Sequence, residues 1–152
     1  MLDLGCGKGI VSLYAAARGL TVDAVDKTPE PPPLFRDVPN IRFVAADLEQ
    51  WTPTRTYDII LCHYVLHFLD RTYVVRDFLP TLIHHLNPRG VLQLFVFTPQ
   101  DFTSVPTKFS PEELLPIFRN LDISKNEMFI EKEDHPPIGK HEHHTLWLAA
   151  RR

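Results

Sequence analysis

The chain has 152 residues, 44% hydrophobic and 23% charged, enough to bury one sizeable core and unlike a disordered or fibrous sequence. A formal charge of −3 offers no basic field for a phosphate backbone, so no nucleic-acid partner is expected. No stretch approaches the roughly 20 apolar residues of a spanning helix, and the opening MLDLGCGKG has no leader-like region, so no membrane is expected either, and the reading is a soluble, cytoplasmic single domain over residues 1–152 that acts on a small-molecule substrate.

Residues 1–4 are apolar apart from Asp3 and run into glycines, as a buried strand feeding a tight turn does. Over residues 9–18 apolar side chains recur at Ile10, Leu13, Tyr14 and Ala17, which predicts a helix buried on that face, and Gly19 supplies its left-handed stop. Short runs rich in β-branched and aromatic residues predict strands at 20–25, 41–45, 58–62 and 91–97. Between the second and third, Thr28-Pro29-Glu30-Pro31-Pro32-Pro33 cannot be helical throughout, because proline lacks the donor and clashes with the preceding turn. The connection 27–40 therefore leaves one side of the sheet thinly covered, with Leu34, Phe35 and Val38 packing irregularly. An exposed patch there would suit a homodimer.

A long helix is predicted over 71–86, with Asp70 as N-cap, Val74, Phe78, Leu82 and Leu86 on its buried stripe, and a kink at Pro80. Ser110, Pro111, Glu112 and Glu113 read as a capping box opening a helix over 111–119. Extended runs at 121–131 and 143–150 should pair as an antiparallel hairpin at the sheet edge. Strands alternating with crossovers give an α/β fold: a Rossmann-like, doubly wound, mostly parallel sheet with an antiparallel C-terminal hairpin. Cys6 and Cys62 fall at neighbouring strand ends, and free thiols are expected rather than a disulfide.

The glycines of Leu2-Asp3-Leu4-Gly5-Cys6-Gly7-Lys8-Gly9 let the backbone turn tightly and approach a ligand. The spacing departs from a dinucleotide fingerprint, which would have its last glycine where Ile10 stands. Asp3 would repel a pyrophosphate, whereas S-adenosylmethionine brings two cations, an ammonium and a sulfonium. At the end of the second strand, Asp26 is placed to accept from both ribose hydroxyls; Asp23, the competitor, lies inside the strand and is expected at the sheet surface or in a local hydrogen bond. At the end of the third strand, Asp47 could accept from an adenine amino group while the Leu48 backbone meets a ring nitrogen.

The succession LDLGCGKG, VDAVD, AADL, YDIILCHYVLHFL and LNPRGVLQLFVF resembles the class I S-adenosylmethionine-dependent methyltransferases over nearly the whole chain. The tail, FSPEELLPIF followed by a His-rich segment and HHTLWLAARR, is similar to the tellurite-resistance (TehB-like) methyltransferases. The resemblance implies S-adenosylmethionine as cofactor, with Asp3, Gly5 and Gly7 around its methionine part, Asp26 at the ribose, Asp47 and Leu48 at the adenine, and the Cys62 carbonyl at the ammonium. Cys6 and Lys27 complete the candidate cofactor set. Such proteins usually carry a helical segment before the first strand and a full helix where 27–40 stands; here both are expected to be missing. A non-catalytic S-adenosylmethionine-binding module, or a fragment of a larger methyltransferase, is therefore the alternative.

Methyl transfer is an in-line displacement, so the enzyme chiefly holds the nucleophile about 3 Å from the methyl carbon and opposite the sulfur. His63 and Tyr64, following the fourth strand, should pass closest to that point, His63 as base or orienting donor. His67, among Leu66, Phe68 and Leu69, reads as a hydrogen-bonded structural histidine. His135, His141, His143 and His144 raise the question of a metal, but no cysteine or paired carboxylate completes a tetrahedron in the sequence, so no metal ligands are assigned. Two readings remain: a solvated polar hairpin, or, as the resemblance to tellurite methylation would require, a loop over the strand ends on which His135 and His143, or Arg151, neutralise an oxyanion substrate such as tellurite.

Overall fold

A computed structural model describes residues 1–152. Five parallel strands are built from the expected runs: β1 (Leu2–Leu4), β2 (Val22–Asp26), β3 (Ile41–Ala45), β4 (Tyr57–His63) and β5 (Leu86–Phe97). The hairpin β6 (Asp122–His135) and β7 (Gly139–Arg151) completes a seven-stranded sheet of order β3-β2-β1-β4-β5-β7-β6. β7 pairs antiparallel with both β5 and β6, so of the hairpin only β6 lies at an edge, opposite the β3 edge. The strand order reverses between β1 and β4, and that reversal opens a crevice at the carboxyl ends of the strands.

The hairpin is longer than expected. The segment read as a His-rich loop is strand, and His135 ends β6 within the ladder, paired with Gly139. Its alternating charged and imidazole side chains disguise a ribbon whose pairing holds it extended well beyond the apolar run.

Helix α1 (Ile10–Ala16) corrects the predicted face. Its buried residues are Ser12, Ala15 and Ala16, while Ile10 and Tyr14 are 65% and 60% exposed. Small side chains let the helix lie close to the sheet, and the Ser12 hydroxyl donates to buried Asp3 Oδ2 at 2.6 Å. The helical stretch after β4 begins as α2 (Arg71–Tyr73), passes through a π turn (Val74–Phe78) and continues as α3 (Leu79–His84). The Asp70 carboxylate accepts from the Tyr73 N–H as expected of an N-cap. Val74, Phe78, Leu82 and Leu86 are buried, but Leu86 starts β5 rather than ending the helix. The irregularity expected at Pro80 is the π turn just before it, a way of tolerating the missing donor.

Helix α4 (Pro111–Leu114), extended by a 3₁₀ turn to Phe118, lacks the predicted capping box: Ser110 makes no side-chain cap bond. Glu113, its intended partner, is drawn away by the Arg71 guanidinium at 2.6 Å.

The core is lopsided. A cluster of 23 buried residues fills the α2–α3–α4 side, but only Ala15, Ala16, Val22, Ala24 and Phe35 form the cluster under α1. Phe35, on the short 3₁₀ turn Pro33–Phe35, is the one residue of the Pro-rich connection that is fully part of this cover. Val38 packs partly, and Leu34 remains 47% exposed. No helix is long and apolar enough to cross a membrane, and Cys6 and Cys62 are free thiols.

Asp23 is structural, but neither at the sheet surface nor in a local hydrogen bond as expected: it is buried and bonded by residues distant in sequence. It is 1% exposed and accepts from Tyr57 Oη (2.7 Å), Arg42 (2.9 and 3.1 Å) and Arg55 (2.9 Å). Burial alone would raise its pKa, but the bonds from Tyr57, Arg42 and Arg55 outweigh it and hold the carboxyl below its usual range. Arg42 is 60% exposed, so its pairing is largely screened, whereas Tyr57 Oη loses its buried acceptor if Asp23 goes. Urea denaturation should therefore show Tyr57→Phe costing about 1–1.5 kcal/mol and Arg42→Ala under about 0.5. The reverse ranking would mean that the exposed ion pair, not the buried hydroxyl, holds this corner.

Candidate active site

The crevice holds a cavity of about 360 Å³ lined by Gly5, Gly7, Asp26, Lys27, Ala46, Asp47, Leu48, His63, Tyr64, Val65, Phe68 and Leu69. The first seven come from the turns after β1, β2 and β3, and the rest from the end of β4 and the segment following it. Backbone hydrogen bonds lock these turns together. Gly5 and Cys6 N–H both donate to the Val25 carbonyl (2.8 and 3.1 Å), and Ala46 N–H donates to the Asp26 carbonyl (2.8 Å). The Asp26 carboxylate accepts from Gly7 N–H at 2.8 Å and Thr28 N–H at 3.0 Å. Each of its oxygens thus has one protein donor and a further acceptor site at the cavity wall.

Gly5 is required where it stands. Its φ of +69° is left-handed, and a Cβ there would sit 2.4 Å from Val65 Cγ2. The turn after β3 is pinned from two sides: Asp47 Oδ1 accepts from Glu49 N–H, and the Leu48 carbonyl accepts from Tyr73 Oη at 2.9 Å. The Leu48 N–H has no backbone acceptor. Lys27 Nζ lies 5.6 Å from the centroid of the Phe68 ring, both residues lining the cavity.

Of the residues singled out in the sequence, Gly5, Gly7, Asp26, Lys27, Asp47, Leu48, His63 and Tyr64 line this one cavity. Asp3, Cys6 and Cys62 do not. Asp3 lies under α1 at 3% exposure, its carboxyl pushed up by burial against the opposing bond from Ser12. Burial, with Asp3 and Asp26 nearby, pushes the Cys6 thiol up to about 12, and the buried Cys62 thiol is pushed higher still, so neither supplies a thiolate. His135 and His143 also lie away from the cavity lining, gathered with His141 around Glu133 on the hairpin. Sequence reasoning missed Val65, Phe68 and Leu69, whose apolar character gave no signal separate from the core.

His63 packs against the Phe95 ring, and its Nε2 is buried without a partner. Tyr64, at a left-handed φ of +52°, stacks on Phe95 and donates its hydroxyl to Glu131 Oε2 at 2.6 Å. Burial, reinforced by the Glu131 bond, raises the Tyr64 pKa well above its ordinary value, so the phenol stays protonated. His67 is buried as expected but differs in bonding: its Nδ1 has no partner, and the ring sits between Phe68 and Phe97.

The match to a family model described as "Methyltransferase domain" covers residues 1–90. The malonyl-[acyl-carrier protein] O-methyltransferase of Bacillus anthracis is 29% identical over 115 residues, 72% of this chain and 41% of that protein. The trans-aconitate 2-methyltransferase of Escherichia coli (strain K12 / DH10B) is 33% identical over 96 residues, 59% of this chain and 36% of that protein. The chain thus spans about two fifths of the length of these curated relatives. Among solved structures, TehB from Haemophilus influenzae superposes with a TM-score of 0.83 at 18% identity, covering 99% of this chain and 57% of its own. The Burkholderia thailandensis 1,6-didemethyltoxoflavin-N1-methyltransferase, solved with S-adenosylhomocysteine, gives 0.68 at 25% identity, covering 99% of this chain and 69% of its own.

Burial holds the pKa of both His63 and His67 down at about 4, so both rings are neutral at physiological pH. An unfolded histidine takes up a proton near 6.5 and these two only near 4, so the unfolded state binds more protons within that window. Stability is therefore fully present above about 6.5 and falls as the pH drops, by up to about 1.4 kcal/mol per pH unit for each ring. Denaturation curves between pH 6.5 and 5 should show a shallower loss in His63→Leu than in the unmodified chain. Equal slopes would show that His63 is protonated in the folded state.

Proposed function

The chain belongs to the class I S-adenosylmethionine-dependent methyltransferase domain family, and from that premise we propose that it transfers a methyl group to a small-molecule acceptor held beside His63 and Tyr64. The observation that carries this reading is the meeting of Gly5, Gly7, Asp26, Asp47 and Leu48 in one cavity at the reversal of strand order. Asp26 offers a free acceptor site on each carboxylate oxygen, the pattern that two vicinal ribose hydroxyls require. The unpaired Leu48 N–H offers a donor for a purine ring nitrogen, and Asp47 an acceptor for the exocyclic amine. The cofactor supplies the methyl group on a sulfonium, and the rest of the work is positioning.

The acceptor would enter between His63, Tyr64, Val65, Phe68 and Leu69, a wall of aromatic and aliphatic side chains that excludes water from the transfer. Of the two roles expected of His63, burial that holds its proton uptake down at about 4 makes it a weak base, so its part is to shape the wall and orient the acceptor. Tyr64 shapes the wall, with its hydroxyl committed to Glu131. An oxyanion such as tellurite is the finer reading that the tail resemblance suggests. Lys27 is the one basic residue in the lining, set against Asp26 and Asp47, and this balance favours a neutral or apolar acceptor over an oxyanion. His135 and His143, expected to serve the oxyanion, lie on the hairpin around Glu133.

Calorimetry with S-adenosylhomocysteine tests the reading directly. Asp26→Ala removes charge-assisted acceptors worth about 1.5–3 kcal/mol, so affinity should fall by about ten- to a hundredfold in a protein that circular dichroism shows to be folded. Unchanged affinity would remove Asp26 from the ribose. No binding by the unmodified chain would remove the cofactor reading itself.

A further inference from the structure

We propose that the hairpin β6–β7 carries a zinc-class divalent metal site ligated by Glu133, His135, His141 and His143, separate from the methyl-transfer cavity. The register creates it. Glu133 lies directly opposite His141, His135 opposite Gly139, and Glu131 opposite His143, so Glu133, His135, His141 and His143 share one face of the ribbon at two-residue spacing. The intervening Lys132 and Glu142 pair with each other at 3.2 Å on the other face.

The three imidazoles are already oriented as metal ligands are. The His141 Nδ1–H donates to the Gly139 carbonyl (2.7 Å), that of His143 to Asp101 Oδ2 (3.1 Å) and that of His135 to the Pro136 carbonyl (3.2 Å). Those oxygens can only accept, so each Nδ1 carries a proton and each Nε2 is the ring atom left to meet a metal. This is the outer bonding that fixes ring and tautomer in metal-bound histidines. Asp101 is held in turn by the His144 N–H at 2.8 Å.

All three Nε2 atoms converge on one carboxylate oxygen. Glu133 Oε2 lies 2.9 Å from His135 Nε2, 3.5 Å from His141 Nε2 and 3.9 Å from His143 Nε2. A tetrahedral zinc with bonds of about 2.0–2.2 Å sets its donor atoms about 3.4 Å apart; the ligand atoms of Glu133, His135 and His141 all lie within 4.8 Å of one another, and His143 Nε2 is the fourth group within reach of Glu133. Electron pairs from these groups, gathered around one carboxylate oxygen, repel unless a cation lies among them. A proton shared by His135 and Glu133 satisfies one pair only. It leaves His141, whose side chain is 6% exposed, with a buried Nε2 that has no partner. A metal ion satisfies all four. Three imidazole nitrogens and one carboxylate oxygen suit zinc and its transition-metal neighbours rather than magnesium or calcium. The half-exposed His135 and Glu133 side chains leave a route for the ion to enter.

The test is calorimetric titration of zinc chloride into the chelator-treated full chain at about pH 7.5, with proton competition checked by repeating it at lower pH. One equivalent should bind with a dissociation constant on the order of micromolar or tighter. Glu133→Gln and His141→Ala should each weaken binding about tenfold or more, while His84→Ala, a histidine on α3 outside the cluster, should leave it unchanged. The cobalt form should show the strong visible absorption of a four-coordinate site. Glu133→Gln preserves shape at a partly exposed position and carries the test if His141→Ala fails to fold. Three results would overturn the proposal: no stoichiometric zinc on the folded chain, equal weakening by His84→Ala, or unchanged affinity in both cluster variants.

Discussion

The carboxylate and carbonyl of Asp26 tie the turns after β1 and β3 to the end of β2 and the start of the Pro-rich connection, and the cavity depends on that tie. Gly7, from the turn after β1, and Thr28, from the start of the Pro-rich connection, donate to the carboxylate; Ala46, at the end of β3, donates to the carbonyl. The preceding residue, Val25, receives two more N–H groups from Gly5 and Cys6. Five donors thus converge on one dipeptide at the end of β2, with the charged acceptor giving the stronger bonds. A ligand meeting this carboxylate finds it already aimed, so little ordering cost falls on binding.

That tie sits on the side of the sheet with less cover. Most of the buried apolar side chains pack beneath α2, α3 and α4, whereas the α1 side relies on alanines, Val22 and Phe35. Phe35 compensates by approaching the backbone: its ring fills the place that a Cβ on Gly9 would take. A single aromatic residue supported by prolines thus replaces part of a helix stripe. Proline-fixed backbone loses less entropy on ordering, which suits a segment with so few contacts to hold it.

Features set by residues close in sequence were legible before the structure. The five parallel strands, the Asp70 cap, the glycine turn and the acids at the ends of β2 and β3 all fall into this class, because each depends on a few adjacent residues and a twofold or 3.6-fold period. The face of α1 was not legible. Apolar period alone pointed to Ile10 and Tyr14, yet the close approach of the helix and the pull of Asp3 on Ser12 selected the small residues instead. Nor could Ser110 reveal that Glu113 would be taken by Arg71, 42 residues away. The convergence on Glu133 was hidden for the same reason, since it depends on register across two strands and on the reach of Asp101 from a third segment.

Tyr64 is where these long-range effects meet the cavity. A non-glycine residue at a φ of +52° costs on the order of 1 kcal/mol, and nothing local repays it. Its stacking on Phe95 and its bond to Glu131 do so, and Glu131 sits opposite His143 in the hairpin ladder. The wall beside the proposed acceptor is therefore held in a strained conformation by the ribbon of β6 and β7. His143 adds a second link by stacking on Phe97, the ring against which Tyr64 and His67 also pack. The hairpin is thus part of the cavity's support, and whatever fixes Glu131 and His143 in register also fixes the backbone that positions Tyr64.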